Sequence, residues 1–235
     1  MKKFSWYLPG LLILLFSLTA SAQKIRQSYE GSYPEFSLRT GLTSYFDYDA
    51  GVMLGIGYRW SNKFSVSLEP TWIFYNGFVV DRNEKIFPSG IKLRADLKYH
   101  FPQSTKRSPD FFVGPEFHYK YTETEKEAQF GINCQNGQCA YFQNATYTEV
   151  KKEIGALVKL GLLTPLPFVN NDRWLFELYS GLGAKVLKFR ETNLPVGGSF
   201  VSPPIRTFGS NTDRNTVHLP LIPAGIKLIF VLQKK

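Results

Sequence analysis

The chain of 235 residues has a formal net charge of +9, is rich in aromatic residues and has a slightly negative mean hydropathy of -0.18. A basic chain often binds nucleic acid or an anionic membrane. Its Lys and Arg residues, however, are spread at alternating positions rather than massed in one tract, so we exclude nucleic acid as a partner. No stretch beyond the N-terminus is apolar over the roughly 20 residues that a transmembrane helix needs.

The N-terminus has the three parts of an export signal peptide. Lys2 and Lys3 form its positive region, Leu8 to Leu18 its apolar stretch, and Ala20-Ser21-Ala22 a pattern of small residues for cleavage before Gln23. Removal of residues 1–22 takes away two lysines and leaves a net charge of +7. A single membrane anchor is the alternative, but the apolar stretch is too short to span a bilayer as a helix.

Eight later segments alternate apolar and polar residues with period two, as strands with two different faces do. The clearest runs from Ile91 to Phe101, where five charged or His residues separate six apolar ones. A helix of period 3.6 cannot place these two sets on opposite faces. In chain order, the segments cover residues 36–43, 51–60, 64–74, 91–101, 111–121, 153–160, 174–186 and 222–230.

The connections between these segments differ in length between the two sides. With the N-terminus on the inner side, the predicted inner turns are 61–63, 102–110 and 163–173, and the predicted outer loops are 47–50, 78–90, 122–148 and 191–217. Short inner turns and longer outer loops are typical of outer-membrane barrels; the short first outer loop is the exception, and the third inner turn is a little long.

Aromatic residues fall near both ends of the segments, at the levels where such rings meet a membrane surface. At the inner rim these are Tyr58, Trp60, Phe64, Tyr99, Phe101, Phe111, Trp174 and Phe230. At the outer rim they are Phe46, Trp72, Phe74, Tyr119 and Tyr121.

The two faces of the strands differ in a way that indicates which one is inside. The apolar face is almost unbroken aliphatic and aromatic, whereas the polar face carries bulky charges interleaved with glycines. This pattern predicts an all-β fold, an antiparallel transmembrane β-barrel of about eight strands with up-and-down topology. A soluble, lipocalin-like barrel is the structural alternative.

The signal peptide, the alternating segment Ile91 to Phe101 and the glycine-bearing last segment Ile222 to Phe230 resemble small Gram-negative outer-membrane β-barrel proteins. The similarity is to poorly characterised families of eight to ten strands and, more loosely, to the barrel domain of outer membrane protein A. It implies a periplasmic lead-in at 23–33, a barrel at 34–235 in the outer membrane, contact with its lipids and assembly by the barrel-insertion machinery. Many such proteins end on an aromatic residue, but here five residues follow Phe230.

Alternation also predicts which charges face the barrel lumen. An eight-stranded barrel is only wide enough for side chains to fill it. A salt-bridged, closed lumen is therefore the first interpretation, and a narrow pore that prefers anions is the second. The predicted lumen charges are Arg39, Arg59, Glu69, Lys92, Arg94, Asp96, Lys98, Glu116, Lys120, Glu153, Lys159, Glu177, Lys185 and Lys227.

The sequence predicts no catalytic, cofactor-binding or metal site. His100, His118 and His218 are too dispersed for a metal cluster or a Ser-His-acid arrangement. Cys134 and Cys139 are predicted to form a disulfide in the third outer loop. An exported protein enters an oxidising compartment, and the four residues between the two cysteines suit a tight turn.

We expect a non-enzymatic protein of the cell outer membrane with a structural or surface-interaction role. Any surface or protein partner would contact the outer loops 122–148 and 191–217. A small-solute pore is the first alternative. A lipid-modifying enzyme is the second, with His218 as the residue to test.

Overall fold

The computed structural model describes residues 34–46, 49–76, 89–101, 109–135, 138–166, 173–201 and 215–232. The predicted signal peptide and lead-in lie outside them. No helix among the described residues is both long and apolar enough to cross a membrane. The elements are β1 (Glu35–Gly41), a 3-10 helix (Thr43–Phe46), β2 (Asp49–Arg59), β3 (Phe64–Asn76), β4 (Ser89–His100), β5 (Asp110–Ile132), β6 (Tyr141–Pro165), β7 (Trp174–Thr192), β8 (Gly198–Phe200), β9 (Thr216–Leu221) and β10 (Ala224–Val231).

The strands form one antiparallel sheet that closes on itself. Strands β1 to β7 pair with their neighbours in chain order, and β10 pairs with both β7 and β1. Strands β9 and β10 pair with β7 one after the other, so together they act as the eighth strand. The predicted fold class is therefore confirmed as a closed, up-and-down barrel of eight antiparallel strands.

The eighth strand is interrupted, which corrects the prediction of one continuous segment at 222–230. Proline has no N–H to donate to the ladder, and the chain passes between β9 and β10 at Ile222 and Pro223. The Pro223 carbonyl still accepts a hydrogen bond from Gly181 N–H at 2.9 Å. The first predicted segment, 36–43, is also shorter than expected, since β1 ends at Gly41 and the 3-10 helix follows.

The predicted third outer loop is wrong: most of residues 122–148 are β-strand. Strands β5 and β6 pair without interruption from Asp110 and Leu163 to Ile132 and Tyr141. This hairpin extends past the end of β4, whose last pairing with β5 is Ser89 opposite Glu123. We call residues 122–148 the arm and the end of the barrel from which it projects the hairpin end. We call the opposite end, at the short turn 61–63, the turn end.

The arm has an apolar cluster of its own. Strand β8, from the predicted fourth outer loop, pairs with β5 and sets Phe200 opposite Phe130. These two rings lie 4.7 Å apart, and both contact Tyr147. Phe130 and Tyr147 are buried, as is Ile132. Residues from both predicted outer loops thus build one three-stranded sheet.

The predicted disulfide closes the tip of the arm. Cys134 and Cys139 are bonded, and between them Gln135 and Gln138 pair through both backbone hydrogen bonds. The Ser199 hydroxyl donates to Cys134 Sγ at 3.4 Å, which connects the tip to β8. Gly131 leaves room for the bond, because a Cβ there would lie 2.4 Å from Cys139 Sγ.

Candidate functional site

The lumen holds the predicted charges. Eleven of the fourteen are buried, and Arg59, Lys92 and Lys185 are partly buried. At the same time the exterior is apolar: Leu54, Phe117 and Leu182 are each more than 60% exposed. The barrel is therefore polar inside and apolar outside, as the alternation of the sequence predicted.

Nine of these charges form one connected cluster in the middle of the lumen, which we call the central network. Its acceptor at the centre is Glu177, which is fully buried. Glu177 Oε2 accepts hydrogen bonds from Lys98 Nζ and, at 3.0 Å, from an Arg39 N–H. The central network consists of Arg39, Glu69, Arg94, Asp96, Lys98, Glu116, Lys159, Glu177 and Lys227.

Two further lysines pair with carboxylates of the central network. Lys159 Nζ donates to Asp96 and, at 2.7 Å, to Glu116. Lys227 Nζ donates to both oxygens of Glu69, at 2.8 and 2.7 Å. Within a low-dielectric interior, buried charges persist only when they are paired in this way.

Tyr179 serves as a polar and aromatic partner to the same cations. Its hydroxyl accepts a hydrogen bond from Arg94 at 3.1 Å. Its ring centroid lies 4.7 Å from Lys227 Nζ and 5.1 Å from Lys159 Nζ, both within cation–π range. Alternation along β7 places Tyr179 on the same face as Glu177, but it does not predict the role of Tyr179 in the central network.

A separate polar group lies at the turn end of the lumen. Asp110 pairs with Arg59 at 2.7 Å and with His100 Nδ1 at 3.1 Å, and His100 Nε2 lies 2.8 Å from the Ser65 hydroxyl. The buried apolar side chains Phe112, Leu163, Leu175, Tyr179, Ile229 and Val231 pack together in the same half of the barrel.

A third group lies toward the hairpin end. Glu153 contacts His118 Nε2 at 3.0 Å, Lys185 Nζ at 3.3 Å and Lys120 Nζ at 3.4 Å. Gly155 makes this possible, because a Cβ there would lie 2.2 Å from the His118 ring. One carboxylate thus serves three basic side chains.

Three buried carboxylates were missed by the sequence reasoning: Glu149, at the base of the arm, and two at the turn end of the lumen. Asp110 and Glu35 are 2% and 5% exposed, and each lies one residue before a predicted segment. Their parity matches that of the lumen face, so extending the alternation by one residue would have found them. They raise the carboxylates in the lumen from the five predicted to seven, which face nine predicted cations and reduce the expected positive excess.

The three histidines do not come together. His100 and His118 are buried in separate polar groups, whereas His218 is exposed on the outside of β9. Within the described ranges, no three or more His, Cys, Asp or Glu side chains are arranged to hold a metal ion.

The described lumen offers little free volume. A cavity of about 30 Å³ at the turn end is bordered by Arg39, Ser65 and His100 among others. A polar cleft of about 500 Å³ at the hairpin end lies outside the lumen, because Glu123, Thr148 and Thr192, which line it, occupy outward positions. In the middle of the lumen, Lys98, Lys159 and Lys227 are each 1% exposed or less. The central network therefore leaves no water-sized space around these ammonium groups.

The exterior carries a row of aromatic rings at the turn end. Phe36, Tyr58, Trp60, Phe64, Tyr99 and Phe101 follow one another around β1 to β4, with successive ring centroids 4.8 to 6.3 Å apart. Trp174 and Phe230 form a further pair at 4.8 Å. Of the predicted outer-rim residues, Trp72, Phe74 and Tyr119 are exposed, and the side chain of Phe46 lies outside the described residues.

No protein-family model matches this chain, and no curated protein sequence or solved structure is significantly similar to it.

Proposed function

We propose that this chain is an integral β-barrel of a bacterial outer membrane with a non-enzymatic, structural or surface-interaction role. Its lumen is closed by the central network, and its arm presents the contact surface. The observation that carries the proposal is the apolar belt, by which we mean the outward face between the two aromatic rims. Among the described residues of that face, no charged side chain lies between the rims.

The height of the apolar belt matches a membrane. Phe64 at one rim and Phe74 at the other are ten residues apart on β3. With a rise of about 3.3 Å per residue and a strand tilt of about 40°, this segment covers roughly 25 Å. A water-soluble barrel would leave this surface in contact with solvent, at a cost proportional to its area. The soluble, lipocalin-like alternative is therefore disfavoured.

The central network argues against the small-solute pore. A conducting path needs water or ions to pass the middle of the lumen, where the lysines and carboxylates of the central network form ion pairs. Opening a path would separate buried ion pairs, and each separated pair leaves an uncompensated charge. The resemblance to small outer-membrane barrels is as compatible with a closed lumen as with a pore, so it does not favour the pore.

The arm supports the surface-interaction role. It projects from the hairpin end, its tip is closed by the disulfide, and β8 pairs with it. Tyr141, Phe142 and Val196 are exposed there, with Val196 at 97%. Exposed aromatic and aliphatic side chains on an ordered surface are typical of protein contacts.

The cellular location and the orientation of the barrel are tested by labelling whole cells with a membrane-impermeant thiol reagent. Single cysteines are introduced at Asn144, exposed on the arm, and at Asn62, exposed in the turn at the opposite end. The native cysteines are both in the disulfide and do not react. We expect labelling of Asn144→Cys on intact cells and of Asn62→Cys only after lysis. Labelling of Asn62→Cys alone would reverse the orientation, and labelling of both on intact cells would contradict membrane embedding.

The closed lumen is tested by conductance of the purified protein in planar lipid bilayers. We expect no steady single-channel current from the wild type, because Lys98, Lys159 and Lys227 have no solvent beside them. Protein that has not folded into the bilayer would also give no current. Folding is therefore verified in the same preparation by a heat-dependent gel shift. A steady, anion-selective current from inserted wild type would favour the pore.

A further inference from the structure

Four exposed basic side chains lie together on the outward face, at the edge of the apolar belt nearest the hairpin end. Lys188 and Arg190 are on β7, Lys152 is on β6 and His218 is on β9. Lys152 lies opposite Lys188, and Val186, two residues before Lys188, lies opposite His218. The four therefore occupy adjacent outward positions on three neighbouring strands. We call them the basic patch.

The arrangement costs stability in the isolated chain. Two like charges directly opposite each other on one face of a sheet repel, and Lys152 and Lys188 form such a pair. Among the described residues, neither lysine nor Arg190 has a carboxylate partner. On the neighbouring strand Glu123 faces the same side, opposite Val150, but its carboxylate accepts the Tyr121 hydroxyl. The Lys152 ammonium lies 5.8 Å from the Tyr121 ring centroid.

The surroundings of the basic patch specify what neutralises it. Directly toward the barrel middle, the same outward face carries Ile154, Val186 and Leu182, which belong to the apolar belt. A ligand that contacts both surfaces must have an anionic group and an apolar part next to each other. Among the described residues on the other side of the barrel, the outer rim carries the aromatic side chains of Trp72 and Phe74. Within the part of the chain that the structure describes, the outward cations next to the apolar belt at this end are therefore on β6, β7 and β9.

We propose that the basic patch binds the phosphate groups of an anionic lipid of the surrounding membrane, whose acyl chains lie along the apolar belt beside β6 and β7. This inference rests on the proposed membrane location. A lipid is the occupant rather than a free phosphate ion, because only a lipid fills the apolar surface and the cationic surface at once. Basic side chains at this level are attracted to anionic head groups.

The test uses the purified full-length chain in a neutral detergent, with bisphosphorylated lipid A or the same lipid after removal of its phosphates. Native mass spectrometry counts the bound lipid. We expect wild type to retain the phosphorylated lipid in preference to the dephosphorylated one. Lys188→Gln should weaken binding about fivefold, and the Lys152→Gln, Lys188→Gln pair should weaken it more than tenfold. Inorganic pyrophosphate at the same concentration should not displace the lipid.

The matched control is Lys63→Gln, which removes one exposed cation at the turn end and should leave lipid binding unchanged. Three results would contradict lipid binding at the basic patch: equal retention of both lipids by wild type, equal weakening by Lys63→Gln and Lys188→Gln, or displacement of the lipid by pyrophosphate.

Thermal unfolding provides a second test, in which the order of stability of wild type and Lys188→Gln should reverse when lipid is added. In neutral micelles Lys188→Gln should unfold at the same Tm as wild type or a higher one, because the repulsion from Lys152 is relieved. With phosphorylated lipid A present, wild type should be the more stable of the two. If wild type inserts into phosphatidylcholine vesicles but does not show this reversal, lipid binding at the basic patch is contradicted and the proposed membrane location is not. Failure of wild type to insert would overturn the proposed membrane location and the patch with it.

Discussion

Replacement of Glu177 by Gln is expected to destabilise the folded barrel by about 3–5 kcal/mol, the usual cost of removing one partner of a buried ion pair. Glu177 Oε2 accepts from Arg39 and Lys98, and Lys227 Nζ lies 3.4 Å from Oε1. A neutral amide would leave these three cations without their shared charge, out of reach of water. Urea unfolding of the refolded protein, followed by tryptophan fluorescence, measures the loss.

The matched control is Glu127→Gln, which removes the same charge from an exposed position on the arm and should change the unfolding free energy by less than about 0.5 kcal/mol. A Glu177→Gln, Lys98→Met double variant should recover part of the lost unfolding free energy. Once Glu177 is neutral, Lys98 is a buried charge without its main partner, and Met removes that charge. Equal unfolding midpoints for the two single variants would show that the central network does not stabilise the barrel.

Replacement of Val158 by Arg should cost about 2–4 kcal/mol in lipid, the penalty for a cation near the bilayer midplane of a barrel. Val158 is exposed on β6, in the middle of the apolar belt, between Lys152 at one edge and Leu162 at the other. Leu97→Arg on β4, two strands away, should cost less, because Leu97 lies two residues from the aromatic rim at Tyr99 and the penalty falls toward the membrane surface. The measurement is the unfolding free energy in phospholipid vesicles, together with the yield of folded protein in the outer membrane.

The control for this pair is Gln129→Arg, at an exposed outward position on the arm, which should be tolerated. Equal tolerance of Val158→Arg and Gln129→Arg in lipid would mean that the apolar belt does not contact hydrocarbon.

The sequence was sufficient to assign the two faces of the barrel, because the side-chain period of a strand is two and every lumen charge follows from parity. It was not sufficient for the arm. There Glu123, Glu125 and Glu127 alternate with Thr124 and Lys126, so both faces are polar and the hydrophobic signal for a strand is weak. The continuous pairing with β6 is what makes this segment a strand.

The partners inside the central network could not be predicted either. Glu177 and Lys98 are 79 residues apart in the chain, and their contact depends on the stagger between strands as the sheet closes. Alternation places both in the lumen but does not give their relative height. Likewise the glycines of the inner face were recognised, but not that Gly155 is there to admit the ring of His118.

The most direct test of the account is a spin-label accessibility measurement in phosphatidylcholine vesicles. Single nitroxide labels are placed at Leu97 and Val158 in the apolar belt and at Gln129 and Asn144 on the arm. Collision rates are measured with oxygen, which concentrates in hydrocarbon, and with a water-soluble nickel complex. Membrane embedding predicts that oxygen dominates at Leu97 and Val158 and that nickel dominates at Gln129 and Asn144. Nickel accessibility at Leu97 and Val158 equal to that on the arm would contradict it.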